Sequence, residues 1–191
     1  MDKKIITAII TISLLVVLYI VNLRQQKNYV NTGSEFLNLD KNLITKIIIS
    51  GNDVALELNV KDSLWSISGN DSLVMKPNKV EDLLSSLASL KTMHTVTTKE
   101  EKWQIYGVDA PSGTHLALVG NGGNTLAYYV FGQANEYNKC YVRTDNNMEV
   151  YLLDSNIMFQ LRTDPNFWGQ IPKTEEAIMP DSLNAAPSIT F

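Results

Sequence analysis

"TKIIISGNDVALELNV", Thr45–Val60, is the stretch that decides the fold. In its second half Val54, Leu56, Leu58 and Val60 share one parity, while Ala55, Glu57 and Asn59 share the other. Side chains in a strand alternate between two faces, so this period of two marks a strand buried on one side. "TKIIIS" supplies a partner of matching length. Gly51-Asn52-Asp53 between them has hairpin chemistry, because Gly and Asn tolerate the positive φ that a tight turn demands. The chain therefore starts its folded part as an antiparallel hairpin, and "SLWSIS" (Ser63–Ser68), closed by Gly69-Asn70-Asp71, extends it.

Outward from the hairpin, the period changes. Val80, Leu83, Leu84, Leu87 and Leu90 fall on one stripe of a helix, opposite Glu81, Asp82, Ser85, Ser86 and Ser89. Pro77 sets up the turn, Asn78 is placed as N-cap, and Glu81 stands where a capping-box partner would stand. Strand signals then resume: Met93–Thr98, Thr114–Val119, Thr125–Gly132, Lys139–Thr144 and Glu149–Asp154. "KEEKWQIYG" reads as a helical turn, "GNGGN" (Gly120–Asn124) as a hairpin turn, and Asp154 as the cap of a short helix over "SNIMFQL". The fold class is α+β: a mostly antiparallel β-meander domain over 42–168 with one long and one or two short packed helices. Strand, Gly-Asn turn, strand occurs twice, in "IIISGNDVALEL" and "LALVGNGGNTLAYYV", which suggests two related β-β-β-α units.

On the N-terminal side, residues 1–4 form a short tail and residues 5–23 carry no charge. Nineteen such residues reach roughly 28 Å as a helix, about the hydrocarbon thickness of a bilayer, so 5–23 is read as a transmembrane anchor. A cleaved signal peptide would have a shorter apolar region and small residues before the cut, and a lipoprotein would have a cysteine after it; neither is present. Basic start, apolar run and polar domain is the layout of an uncleaved signal-anchor with its N-terminus inside, although Arg24 and Lys27 balance Lys3 and Lys4. Residues 24–41 are a polar spacer, and 169–191, rich in proline and without pattern, reads as a loosely ordered tail.

The chemistry that composition permits is limited. A net charge of −4 gives no basic face for nucleic acid. One cysteine, Cys140, allows no intramolecular disulfide and no cysteine-based zinc or iron–sulfur site. The two histidines, His94 and His115, lie far apart in separate strands, with no metal-ligand spacing around them. "GNGGN" lacks the Lys-Ser/Thr of a phosphate loop and runs into a strand, and no G-x-S-x-G elbow occurs. Cys140 alternates with Tyr141 in a strand and reads as a packed small side chain. Asp53, Asp71, Asp109 and Asp145 sit in turns, where Asp bonds to nearby amides. No catalytic, metal or cofactor residue is assigned, and the chain is read as a non-enzyme.

"YGVDAP" (Tyr106–Pro111) admits two readings. As a corner, Gly107 bends the chain, Asp109 accepts a local amide bond and Pro111 ends helical structure. As a ligand loop, Trp103 and Tyr106 would be aromatic platforms. The turn chemistry favours the corner. The remaining interaction candidates are aromatic strand residues, so the candidate surface comprises Trp103, Tyr106, Tyr128, Tyr129 and Tyr141.

The ordered set of "WSIS", "KVEDLLSSLASLK", "YGVDAP", "LAYYVFG", "CYVRT", "EVYLL" and "LRTDP" resembles the bacterial domain-of-unknown-function family 4340 from Asn42 to Trp168. Val108 replaces the family's more usual Leu, and "RTDP" departs from its usual Arg-Asp ending at Arg162. The resemblance implies a membrane-tethered, extracytoplasmic α+β domain at the bacterial inner membrane, of the kind found beside ABC-type exporters, including the gliding-motility type. It supplies no catalytic residues. The function expected is that of an accessory or assembly component with an ABC-type permease or related subunit as partner, membrane lipid contacting 5–23. The alternative is an envelope glycan- or peptide-binding module using the aromatic strand face, and a hydrolase centred on Cys140 or a carboxylate pair ranks third.

Overall fold

The hairpin is formed as its turn residues dictate. In the computed structural model, which describes residues 40–145 and 147–172 together with positions 16, 17 and 19, β1 (Ile44–Gly51) pairs antiparallel with β2 (Val54–Lys61). Asn52 and Asp53 between them have φ of 51° and 60°, the left-handed pair that a type I′ turn needs. Asp62 and Ser63 repeat the device before β3 (Leu64–Ile67). Register sets Ile47 opposite Leu58 and Ile49 opposite Leu56, so all four face the same way and are buried.

After β3 the chain makes a two-residue strand, β4 (Val74–Met75), and then helix α1 (Lys79–Ser89) carries it to the opposite edge of the sheet as β5 (Thr92–Thr97). A 3₁₀ helix (Glu100–Tyr106) and the YGVDAP corner bring it back to the centre, where β6 (Thr114–Gly120) pairs with β1. Strands β7 (Thr125–Gln133), β8 (Cys140–Thr144) and β9 (Val150–Leu153) then fill the space up to β5. The result is an eight-stranded sheet in the order β3-β2-β1-β6-β7-β8-β9-β5, with every pair antiparallel.

One face of the sheet takes α1. Val80, Leu83, Leu84, Leu87 and Leu90 are all buried against Ile47, Leu58, Leu116 and Phe131 in one cluster. Each such side chain stabilises the fold by about 1.5–3 kcal/mol, which is why the stripe rather than helix propensity holds α1 in place. Trp168, at the end of the four-residue helix α2 (Pro165–Trp168), joins the same core and is fully buried. The opposite face takes the corner, over a smaller cluster of Val108, Val130 and Val150.

The α+β class and the largely antiparallel sheet are as expected, but several local expectations are corrected. Two meanders, β1–β3 and β6–β9, are joined by pairing across the chain (β1 with β6, β5 with β9), and only the first is followed by a long helix, so the units are not a repeated β-β-β-α pair. Asn78 precedes α1 but has φ of 60° and no side-chain cap bond; the capping box does not form. Asp154 caps no helix over 155–161. Its carboxylate accepts from Lys91 N–H at 3.0 Å while its own N–H donates to Lys91 C=O, tying β9 to the start of β5. Past Trp168, Gly169–Gln170 form a strand, β10, paired with β4, so order continues into the segment expected to be loose. The anchor 5–23, apart from the helical and exposed Val16, Val17 and Tyr19, most of the spacer, and the tail from 173 lie outside the described residues. Among the described residues, no helix is long and apolar enough to cross a membrane.

Candidate functional site

The YGVDAP corner is built to lie flat on the sheet. Gly107 adopts φ of 61° at the end of the 3₁₀ helix, turning the chain so that Val108 is fully buried. Gly132 on β7 is the counterpart: a Cβ there would overlap the Tyr106 and Gly107 carbonyl oxygens, so only glycine lets the two backbones approach. The aromatics then seal the edges. Tyr106 meets Tyr141 edge-on at 4.9 Å between centroids and donates from its hydroxyl to Val96 C=O at 3.4 Å. Trp103 donates from Nε1 to Met148 C=O at 3.1 Å and lies under the Arg143 guanidinium, 3.9 Å from the ring centroid.

Arg143 is 8% exposed. Its charge rests on the Trp103 ring, on Val108 C=O, which accepts from Nε at 3.2 Å, and on Thr144 C=O. Carbonyl dipoles and a ring face replace a carboxylate here, an arrangement suited to the planar, weakly hydrated guanidinium. His115 closes the other side of the corner. Its Nε2 sits 2.9 Å from Ala110 C=O and its Nδ1 2.6 Å from the Tyr128 hydroxyl. A carbonyl oxygen can only accept, so Nε2 carries a hydrogen and donates it to Ala110 C=O. Asp109 departs from the expected local bond. The turn is closed by Gly113 N–H donating to the Asp109 main-chain carbonyl at 3.0 Å, and one carboxylate oxygen of Asp109 is buried without a partner.

Four of the five proposed surface residues thus come together, and one does not. Trp103, Tyr106, Tyr128 and Tyr141 are half-buried around the corner. Tyr129 follows Tyr128 in β7 and therefore points to the other face, into the α1 core, where burial pushes its hydroxyl up to about 12. The potential nucleophile is also sealed in the core. Cys140 is fully buried, its thiol raised to about 11 by burial, and its Sγ donates to Ser155 C=O. His94 on β5 and His115 on β6 are separated by three intervening strands, about 19 Å at four strand spacings.

The open site is elsewhere. At the end of the sheet where β1 and β7 finish and β6 begins, a cleft of about 810 Å3 lies beneath the loop after β9. Asn52, Gln133, Tyr137, Asn156, Phe159 and Arg162 are among its lining residues, and among the described residues no carboxylate is. Its walls are held rigidly. Asn156 donates to Tyr137 C=O at 2.8 Å and accepts from Met158 N–H at 2.9 Å, and the Arg162 carbonyl accepts from Trp168 Nε1 at 2.8 Å. Tyr137 and Phe159 are 92% and 62% exposed. Sequence reading passed over this cleft because its residues come from five separate segments. The signal was there in outline: amide side chains recur at strand ends that the hairpin topology stacks together.

A family-level match covers residues 65–170, more than half of the chain, and its description is "Domain of unknown function (DUF4340)". The chain belongs to that family. Among curated proteins and among solved structures, no significant match is found. The DUF4340 match contains α1, the corner, and most of the cleft, whereas Asn52 and the β1–β2 hairpin precede it.

Proposed function

We propose that this chain is a non-enzymatic accessory domain held at the bacterial inner membrane by residues 5–23, with its DUF4340 domain on the extracytoplasmic side. Its partner is a membrane protein, an ABC-type permease or related subunit, and its task is assembly or recognition within that complex. The observation that supports this reading is how the reactive side chains are used. Cys140 is buried, both ring nitrogens of His115 are spent on Ala110 and Tyr128, and Arg143 is stacked on the Trp103 ring. The groups facing solvent in the sheet-end cleft are instead binding groups: carboxamides, two exposed aromatics and a guanidinium. Clefts of this size with a few polar groups on apolar walls are the usual form of recognition sites.

The test is mild crosslinking in native cells, affinity capture of the full-length chain from membranes, and mass spectrometry. Reproducible recovery of a permease or transport ATPase is expected. Recovery of no membrane protein, under conditions where a control complex survives, would falsify the accessory reading. The cleft also favours the second reading, a peptide-binding module, and moves its site from the aromatic strand face to the sheet end, since that strand face is occupied by the corner.

A further inference from the structure

We infer that the sheet-end cleft binds an acidic peptide segment, with Arg162 as the carboxylate anchor and Phe159 and Tyr137 holding an adjacent apolar side chain. This deepens the recognition reading above and rests on it only for the cleft being a recognition site. Four observations carry it. Arg162 is exposed into the cleft, and among the described residues its side chain has no ion-pair or hydrogen-bond partner. Among the described residues no acidic one lines the cleft; the nearest in sequence, Asp164, is committed to capping α2 through Asn166 N–H at 2.9 Å. Among the described lining residues, Arg162 is the one charged side chain, in a chain of net charge −4. Its backbone is pinned by a fully buried Trp168, so the guanidinium is presented from a fixed base. A forked donor of this kind prefers a carboxylate, which it can hold through two parallel bonds.

The remaining lining selects peptide over sugar. Recognising a ring of hydroxyl groups takes many free acceptors, commonly carboxylates, and the described lining of the cleft has none of the latter. Asn156 is engaged on both its amide nitrogen and its oxygen, and Gln133 donates to Ala134 C=O. Apolar wall remains, from Met158, Phe159 and Leu161. That combination of one fixed cation, apolar surface and the Asn52 and Asn138 carboxamides matches an acidic side chain next to an aliphatic or aromatic one. A cleft of about 810 Å3 suits a segment of a few residues.

The experiment is a random hexapeptide array probed with the full-length chain in detergent micelles, in parallel with Arg162→Gln and Phe159→Ala. Bound peptides are expected to be enriched in Asp or Glu beside an apolar residue. Arg162→Gln should weaken the selected peptides about tenfold or more, the size of a lost charge-assisted contact. Phe159→Ala should weaken them without changing the preference for acid. Both positions are exposed, so unchanged thermal midpoints will confirm that the variants fold. No bound peptides, a bound set without acidic enrichment, or binding that survives Arg162→Gln overturns the inference. The array result is independent of the co-purification. Loss of the membrane partner with acid-selective peptide binding intact sinks the accessory reading alone, and capture of the partner with an unselective array sinks this inference alone.

Discussion

The corner and the sheet-end cleft use the same materials to opposite ends. Each combines aromatic side chains with one arginine. At the corner the arginine is 8% exposed and lies on Trp103, with the aromatic hydroxyl and indole groups bonded to main-chain carbonyls. At the cleft Arg162 is exposed and Tyr137 and Phe159 project into solvent. Residue type alone therefore says little about recognition. What separates the two is whether neighbouring backbone comes close enough to use up the polar groups. At the corner two glycines allow that approach. At the cleft the loop after β9 is fixed by its own bonds and leaves the space open.

The largest effect expected from breaking this contrast is at Gly132. Gly132→Ala puts a methyl into the Tyr106 and Gly107 carbonyl oxygens, which are main-chain atoms that cannot simply swing aside. Overpacking of this kind should cost about 3 kcal/mol and lower the thermal midpoint by on the order of 10 °C. A midpoint within 2–3 °C of wild type, roughly the effect of under 1 kcal/mol, would mean that the corner is not sealed as described. Cys140 probes the wall behind the cleft, since its thiol bonds to Ser155 just before Asn156. With its thiol raised to about 11 by burial, alkylation by iodoacetamide at pH 8 should be about a hundredfold slower than for an unhindered thiol. The sign for stability follows: the folded state holds the proton more tightly than the unfolded one. Its contribution is full below pH about 9 and is lost as pH rises through about 11. Rapid alkylation of the folded chain would show that the wall opens. Next comes the paired substitution Trp103→Ala and Phe159→Ala, read by denaturant unfolding. The first should cost about 2 kcal/mol, from lost packing and the lost seat for Arg143. The second, at a side chain 62% exposed, should cost no more than about 0.5 kcal/mol. Equal costs would abolish the distinction between the regions.

Much of the fold was legible because it is governed by short-range rules. Asn52-Asp53 and the alternation over Val54–Val60 specified the hairpin, and the Leu stripe over 80–90 specified α1 and its buried side. The order of the strands was not legible, because β1 beside β6 and β5 beside β9 depend on where α1 carries the chain, not on any local pattern. The same limit explains the site. Tyr128 and Tyr129 were grouped by composition, yet adjacent residues of a strand face opposite sides, and only knowing which face takes α1 tells that Tyr129 is core. Arg162 was noticed only as a departure from the family ending. That no acidic residue joins it among the described lining of the cleft is a property of the assembled end of the sheet, and its distance in sequence from Asn52 concealed it.

The smallest effect concerns a strip that belongs to neither region. Lys46 and Glu57 lie on the same face of the sheet as the corner but beyond its cover, where they pair at 2.9 Å with side chains 37% and 36% exposed. The hydrogen bond from Lys46, then that from Asn59, holds the Glu57 carboxyl below its ordinary value despite some opposing burial. A folded value below the unfolded one stabilises the fold above the ordinary carboxylate range, and that contribution is lost as pH falls through the folded value. Because both groups remain wet, the pair contributes no more than about 1 kcal/mol and is screened by salt. Lys46→Met should therefore lower stability slightly at pH 7, with the difference from wild type shrinking both at pH 3 and in 1 M NaCl. A loss above about 2 kcal/mol, or one indifferent to salt, would mean that this open face is dry in the intact protein, as a buried pair would be. In that case the strip would be a covered surface like the corner, and the face of the sheet would hold one sealed region where two are now distinguished.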